Sequence, residues 1–199
     1  MHSKKEKKIS NGVKTIIAEV SARHIHLNQK DLEKLFGKNF KLSKFKDLSQ
    51  PEEFAAKETL VVKGGRDYFP KVRIVGPVRR KTQVELSMTD CYFLGIKPVV
   101  QLSGQVRKSS QVTLQGPHGH VVAAAIVAQR HLHISKKQAK EWKYKSGKKI
   151  AIMVKGERSA ILENVVVRVG DFKTHVHLDT DEANAVGLVN KQKVYIYEK

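Results

Sequence analysis

Three segments of this sequence place a His-x-His pair directly before the expected start of a helix. The segment "SARHIHLNQKDLEKLFG" at 21–37 is nearly repeated by "AQRHLHISKKQAKEWKYKSG" at 128–147, and "KTHVHLDTDEANAVG", which begins at Lys173, is a third relative. Residues i and i+2 of a strand face the same side, roughly 6.5–7 Å apart, whereas on a helix they would point about 200° apart. We therefore expect each pair to end a strand, where its two imidazoles can converge on one ion.

His-x-His pairs are far more frequent here than chance allows. Nine histidines among 199 residues would give about 0.4 such pairs at random. The chain has four of them: His24/His26, His118/His120, His131/His133 and His175/His177. Clustered imidazoles of this geometry are typical ligands of a transition metal, most often zinc. The pairs are not equivalent, because His118 and His120 lie in the glycine-rich turn "GPHGH", where we favour an exposed loop, and His175 can simply be exposed.

Most of the remaining sequence predicts short strands. β-branched or alternating segments, separated by Gly and Pro, occur at 14–20, 58–65, 71–77, 83–87, 97–104, 111–117, 119–128, 148–156, 163–170 and 193–199. Short helices are expected at about 29–36, 88–95, 136–145 and 181–187, with Asn28, Ser135 and Asp179 as N-caps. This pattern is typical of a barrel or a sandwich.

Composition and charge limit the function classes. The single cysteine, Cys91, excludes an internal disulfide and fits a reducing compartment. The longest apolar run, at 121–128, is much shorter than the ~20 residues of a membrane span. The formal net charge of +19 attracts anions, and both phosphorylated small molecules and nucleic acid meet that description.

A second informative stretch is "RIVGPVRRKTQVELSMTDCYFLGI" at 73–96. Glu85 lies on a predicted strand where half of the positions point inward, and a buried carboxylate is costly unless it is paired or binds a cation. The preceding turn carries Arg79 and Arg80. Arginine suits phosphate because its planar fork donates two parallel hydrogen bonds, although two surface charges in a turn would look the same.

Four motifs in order, "SARHIHL", "GPVRRKTQVELSMTD", "QRHLHIS" and "HLDTDEANAVGL", resemble the PduL-type phosphate acyltransferases, also described as phosphate propanoyltransferases. The resemblance runs from about residue 14 to the C-terminus. It implies two divalent metal ions, with zinc as the expected metal, and a phosphate-binding catalytic arginine at Arg79. The implied ligands are His24, His26 and Glu85 for the first ion and His131, His133 and His177 for the second.

The resemblance also implies the architecture. We expect a mainly β fold with short α-helices, in which two similar small β-barrel domains are capped by helices and the active site lies between them. Residues 13–22 with 129–199 would form one barrel and 23–128 the other, while the basic residues 1–12 would form a disordered arm. The family further suggests a homodimer.

The implied activity is the reaction acyl-CoA + phosphate = acyl phosphate + CoA, with acetyl or propanoyl as the acyl group. CoA and phosphate are then substrates, and neither a membrane nor a nucleic acid is an expected partner. Because no encapsulation helix precedes His24, we expect a cytoplasmic enzyme outside microcompartments. Cys91 has no evident base nearby and is not expected to act as a nucleophile.

Two other functions remain open from the sequence. A basic β-barrel can bind nucleic acid, although this leaves the histidine pattern unexplained and only 7% of the residues are aromatic and available for stacking. A metal-dependent thioesterase or other hydrolase would use the same ligands with water in place of phosphate. An amidohydrolase-type (β/α)₈ barrel is excluded, since it needs about 250 residues and many helices.

Overall fold

The computed structural model describes residues 14–198, which form short strands and short helices. The strands are β1 (Thr15–Ser21), β2 (His24–His26), β3 (Lys44–Asp47), β4 (Phe54–Lys63), β5 (Tyr68–Gly76), β6 (Gln83–Leu86), β7 (Val100–Gln101), β8 (Ser110–Gln115), β9 (His120–Ala128), β10 (His131–Ser135), β11 (Lys149–Val154), β12 (Ala160–Gly170), β13 (His175–Asp179) and β14 (Lys193–Tyr197). The helices are α1 (Gln29–Phe36), α2 (Met88–Leu94), α3 (Lys136–Glu141) and α4 (Thr180–Ala185). The predicted mainly β class is confirmed. The basic arm expected at 1–12 lies outside the described residues.

One closed barrel, here called barrel A, combines strands from both ends of the described chain. Its six strands follow the order β1-β13-β10-β12-β11-β14, and β14 pairs back with β1. The inward side chains form one hydrophobic core, in which Leu132, Ile134 and Val176 are fully buried. β1 is therefore completed by strands that lie more than a hundred residues further along the chain.

A second closed barrel, barrel B, is built from the strands between β1 and β10. Pairing runs β4-β5-β2-β6-β9-β8 and returns from β8 to β4, while β3 extends the edge of β4 and β7 extends the edge of β9. Its separate core includes Ile25, Leu60 and Ile74. The predicted architecture of two similar small barrels with short helices is thus confirmed.

The two barrels share one pairing scheme. β2 pairs parallel with β5 and antiparallel with β6, just as β10 pairs parallel with β12 and antiparallel with β13. The repeated sequences "RHIHL" and "RHLHI" therefore occupy equivalent strands. The exact domain boundaries given above stay predictions.

Three elements differ from the sequence-based expectations. The strand expected at 97–104 is paired only at Val100–Gln101, since Pro98 has no N–H to donate to a ladder. The helix expected at 136–145 ends at Glu141, where the left-handed backbone of Lys143 turns the chain away. The strand β3 was not expected, because all four of its side chains are exposed and give no alternation signal. Within residues 14–198, no helix has the length and apolar character that crossing a membrane requires.

The middle residue of a His-x-His pair provides a test of this packing. Leu132 is fully buried in the core of barrel A. We expect Leu132→Ala to lower the free energy of unfolding by about 2–5 kcal/mol, because it removes buried apolar surface and leaves a cavity. Urea denaturation checks this, with Val189→Ala as the control, since Val189 is 71% exposed and should change stability by less than about 0.5 kcal/mol. Equal effects of the two substitutions would contradict the assigned core.

Candidate active site

The alternation of β2 and β10 turns both imidazoles of each pair away from the barrel core. Ile25 and Leu132, the middle residues, are fully buried in the two cores. The predicted helices follow three residues after the second histidine, at Gln29 and Lys136. The pairs therefore form or begin short strands rather than ending longer ones, because the chain turns at residues 22–23 and 129–130 just before them.

His24, His26 and Glu85 form the first group of converging side chains. His24 lies opposite Glu85 in the antiparallel register of β2 and β6. The two Nε2 atoms are 3.1 Å apart, and they lie 3.7 Å (His24) and 3.6 Å (His26) from the carboxylate oxygens of Glu85. Two nitrogens bound to one tetrahedral zinc ion at its usual bond length lie about 3.3–3.4 Å apart. This group could hold a divalent metal ion.

The backbone fixes the orientation of both rings in this group. Nδ1 of His24 lies 2.9 Å from the carbonyl oxygen of Ala22, and Nδ1 of His26 lies 3.2 Å from that of Val75. With Nδ1 of each ring engaged by a carbonyl, Nε2 is the nitrogen that points toward Glu85. This arrangement is the one in which a metal-binding imidazole is normally held.

Glu85 is an anion held by several partners. Its Oε1 accepts hydrogen bonds of 2.6 Å from Nε2 of Gln83 and from Oγ of Ser103. Burial alone would raise the pKa of Glu85, but attraction to His24 and His26 and the Ser103 hydrogen bond outweigh burial and lower the pKa to about 2. The carboxylate is therefore charged at neutral pH and available to a cation.

His131, His133 and His177 form the second group, with ligand atoms within 4.8 Å of one another. His131 lies opposite His177 in the register of β10 and β13, and their rings stack with centroids 5.1 Å apart. Nδ1 of His131 lies 2.9 Å from the carbonyl oxygen of Gln129, in the same manner as His24 with Ala22. This group repeats the first one, with His177 in the place of Glu85.

Burial keeps the second group neutral. It is the largest cause that lowers the pKa of His131, of His133 and, to about 3, of His177. Neutral imidazoles offer lone pairs, which is the form that binds metals. Nδ1 of His133 is moreover buried and has no hydrogen-bond partner among residues 14–198. Buried polar atoms rarely remain unpaired, so a cation at this group fits the structure.

Both groups face one cleft between the barrels, with a volume of about 950 Å³. Arg79, which follows β5, lines the same cleft and donates hydrogen bonds to Glu53 at 2.6 Å and to Ser103 at 3.3 Å. Ser103 thus contacts both Arg79 and Glu85. The predicted site residues are therefore brought together, while Arg80 is exposed outside the cleft lining.

The segment 48–53 of barrel B reaches across to barrel A. The side chain of Gln50 donates to the carbonyl of Lys173 at 3.2 Å and accepts from its backbone N–H at 3.1 Å. Ser49 donates a hydrogen bond to Glu19 on β1. These contacts hold the two walls of the cleft together.

Several histidine and cysteine positions lie outside the two groups. His118 and His120 are exposed and do not line the cleft, as expected from their turn. His175, for which simple exposure was left open, is half-buried and lines the cleft with its Nδ1 3.4 Å from Glu19. Glu19, Gln50 and the cleft residue Arg168 were missed. Only Glu19 gave a signal, as an acid within the apolar strand "TIIAEV".

Arg23 and Arg130 directly precede the pairs His24/His26 and His131/His133, and each connects its pair to the start of a helix. Arg23 donates to Asp90, the N3 residue in the capping box of α2, at 2.6 Å. Arg130 donates to Glu182, the N3 residue in the capping box of α4, also at 2.6 Å. The helices are thereby fixed against the strands that carry the histidines.

Comparison with known proteins agrees with this geometry. The sequence model of the phosphate propanoyltransferase family matches residues 17–189, which is most of the chain. The chain belongs to this family. The predicted resemblance is therefore confirmed, and so is the prediction of an enzyme of the acyltransferase class.

Named phosphate propanoyltransferases from several bacteria are similar over nearly the whole chain. The protein from Thermotoga maritima is 42% identical over 187 residues, which cover 92% of this chain and 89% of that protein. The protein from Enterococcus faecalis is 40% identical over 185 residues, covering 92% and 88%. The protein from Rhodobacter capsulatus is 39% identical over 180 residues, covering 89% and 84%.

In this member of the phosphate propanoyltransferase family, the ion pair of Arg130 with Glu182 should contribute to stability. Burial raises the pKa of Glu182 and Arg130 opposes that rise, so Arg130→Ala leaves a partly buried carboxylate without its cation. We expect the free energy of unfolding to fall by about 1–2 kcal/mol in urea denaturation. The exposed pair of Lys136 with Asp171 is the control, since Lys136→Ala should cost less than about 0.5 kcal/mol. A smaller loss for Arg130→Ala than for Lys136→Ala would contradict this role.

Proposed function

We propose that this protein catalyses the metal-dependent transfer of a short-chain acyl group between CoA and inorganic phosphate. The observation that carries the proposal is the convergence of two metal-type donor groups and Arg79 on one cleft in a chain of the phosphate propanoyltransferase family. Acyl-CoA and phosphate would react there to give acyl phosphate and CoA. Acetyl and propanoyl are the proposed acyl groups, and they differ by one methylene, worth about 1–3 kcal/mol of discrimination in an apolar pocket.

We propose that His24, His26 and Glu85 hold one divalent ion and that His131, His133 and His177 hold the other. Support comes from the inward Nε2 atoms of the first group, the ionised Glu85 and the unpaired Nδ1 of His133. Nitrogen ligands with a single carboxylate suit zinc. When bound, such ions neutralise phosphate and stabilise negative charge that develops on a carbonyl oxygen.

The residues of the chain itself would position the reactants. The guanidinium of Arg79 would bind phosphate through its planar fork. Phosphate would either join the carboxylate of Glu53, which accepts a hydrogen bond from Arg79, or replace it. A phosphate oxygen would then attack the carbonyl carbon of the thioester, the C–S bond would break, and CoA would leave as a thiolate. Ser103, which contacts both Arg79 and Glu85, would hold these two side chains in fixed positions relative to each other. Positioning of this kind makes the two-substrate step effectively unimolecular.

Direct attack by phosphate is favoured over a covalent enzyme intermediate. Cys91 is buried on α2. Burial, with help from nearby carboxylates such as Asp90, raises the pKa of its thiol to about 11. The thiol is therefore protonated and does not line the cleft. A cysteine in this state is a poor nucleophile.

We also propose an oligomeric state, a cellular location and domain bounds for this protein. The resemblance suggests a homodimer and the division into residues 13–22 with 129–199 and 23–128, and the single cysteine fits a cytoplasmic location. Nucleic acid is not a proposed partner, because the cleft is explained by the small anionic substrates.

The reaction is tested by thiol release from acetyl-CoA and propanoyl-CoA with and without phosphate. We expect release that requires phosphate, stops on removal of metal by a chelator and returns when zinc is added back, since both ions are needed in the cleft. Thiol release without phosphate would identify a thioesterase instead. A folded, metal-loaded protein that releases no thiol from either substrate would overturn the proposed function.

The two ligand groups can be separated by single substitutions. We expect His24→Ala and His131→Ala each to lower the bound metal from about two ions to about one ion per chain. Each should also reduce turnover by about 100-fold or more. Loss of a residue that only orients a metal ligand typically costs about 10- to 100-fold, and loss of the ligand itself should cost more. Metal analysis after gel filtration and the thiol assay measure both effects. His118→Ala is the matched control and should keep both ions and full activity, since His118 is exposed. A full metal content in His24→Ala or His131→Ala would refute the assigned ligands.

A further inference from the structure

One arginine in the cleft differs from the others. The arginines that line the cleft are Arg23, Arg73, Arg79 and Arg168. Arg23 is held by Asp90, Arg73 donates to the carbonyls of residues 56 and 57, and Arg79 donates to Glu53. Among residues 14–198, the guanidinium of Arg168 has no hydrogen bond or ion pair. A partly buried guanidinium without an acceptor is unusual, because its five donors are costly to desolvate.

Arg168 lies beside the three-histidine group. It is on β12, directly next to His133 in the parallel register with β10. Residues paired across neighbouring strands point to the same face of a sheet, and Arg168, His131, His133 and His177 all line the cleft. Arg168 is therefore on the cleft face of barrel A, beside the three-histidine group.

Arg168 and Arg79 line the same cleft from different barrels. Arg168 belongs to barrel A and Arg79 to barrel B. Burial lowers the pKa of Arg168, attraction from Glu85 and Glu53 raises it, and repulsion from Arg79 lowers it further. Two cations that share a partly desolvated space repel each other unless an anion lies between them.

The carboxylates of the cleft do not supply that anion. Those lining it are Glu19, Asp47, Glu53, Glu85 and Asp179. Each of them already has a partner: Glu19 has Ser49, Asp47 has Lys44, Glu53 has Arg79, Glu85 has Ser103, and Asp179 has the backbone N–H of Glu182. Asp179 is committed to the capping box of α4. Within residues 14–198, the guanidinium of Arg168 is therefore left open to an acceptor that enters the cleft from solution.

We propose that Arg168 binds the phosphoryl group that takes part in the reaction, from the side opposite Arg79. Arg168 and Arg79 would then clamp inorganic phosphate, or the phosphoryl end of an acyl phosphate, between barrel A and barrel B. Guanidinium groups suit this ligand because each donates two parallel hydrogen bonds to phosphate oxygens. The inference rests on the proposed function and adds a second phosphate-binding residue to it.

The test compares Arg168→Ala and Arg168→Lys with Arg158→Ala. Arg158 is an exposed arginine in the same barrel and outside the cleft lining, so its substitution makes the same change in charge. Metal content, the KM values for phosphate and propanoyl-CoA, and kcat are measured for each protein. Binding of inorganic phosphate to the metal-loaded protein is measured separately by calorimetry, so that a phosphate site is detected even without turnover.

We expect Arg168→Ala to raise the KM for phosphate, and the Kd from calorimetry, by about 10- to 100-fold, the loss typical of hydrogen bonds to a charged group. Arg168→Lys should recover part of this loss, because it restores the charge without the fork. The KM for propanoyl-CoA should change by less than about 2-fold, since a ligand that loses no charged hydrogen bond keeps its affinity. Arg158→Ala should match the unaltered protein.

Three results would overturn the inference. An increase confined to the KM for propanoyl-CoA would place Arg168 on a phosphate of CoA. Loss of metal from both Arg168 variants would make Arg168 a support of the three-histidine group. Unchanged phosphate affinity in Arg168→Ala would remove any role in phosphate binding. Phosphate binding that depends on Arg168 in a protein with no transferase activity would keep the inference and refute the proposed reaction.

Discussion

The two-residue period of β-strands is the constraint on which the rest of this structure depends. In β2 and β10 it commits the middle residue to a barrel core and both flanking histidines to the cleft. The same packing that stabilises each barrel therefore fixes the imidazoles in place. Because the strands on either side carry Glu85 and His177 in register, the third donor of each group is positioned by the sheet ladder rather than by a loop.

The cleft concentrates charge in a partly desolvated space. Burial makes the second group neutral, whereas Glu85 keeps its charge because attraction to His24 and His26 and the Ser103 hydrogen bond lower its pKa. The two groups consequently differ by one negative charge although their backbones are equivalent. The charge of Glu85 would partly neutralise a metal ion at the first group. A metal ion at the second group would keep more of its positive charge and would attract an anion more strongly.

Local patterns predicted most of the strands and helices and singled out the paired histidines, whereas the two-barrel architecture and the complete donor groups were implied by the family resemblance. The helix caps at Asn28 and Asp179 and the strands with clear alternation were recognisable. The exposed strand β3 could not be recognised, because no residue in it faces a core. Arg168 and Gln50 were missed for a different reason. Their importance depends on which side chains face them across the cleft, and that information lies in pairings between distant strands.

The insertion of barrel B between β1 and β10 affects the order in which the chain can fold. During synthesis all strands of barrel B emerge before β10, so this barrel can close while β1 still lacks every neighbour. β1 must then wait for β13 and β14, which follow barrel B along the chain. Contacts between such distant segments form slowly, and an unpaired apolar strand is prone to aggregation. The strand that opens the described chain is thus the one that waits longest after its own synthesis for its partners.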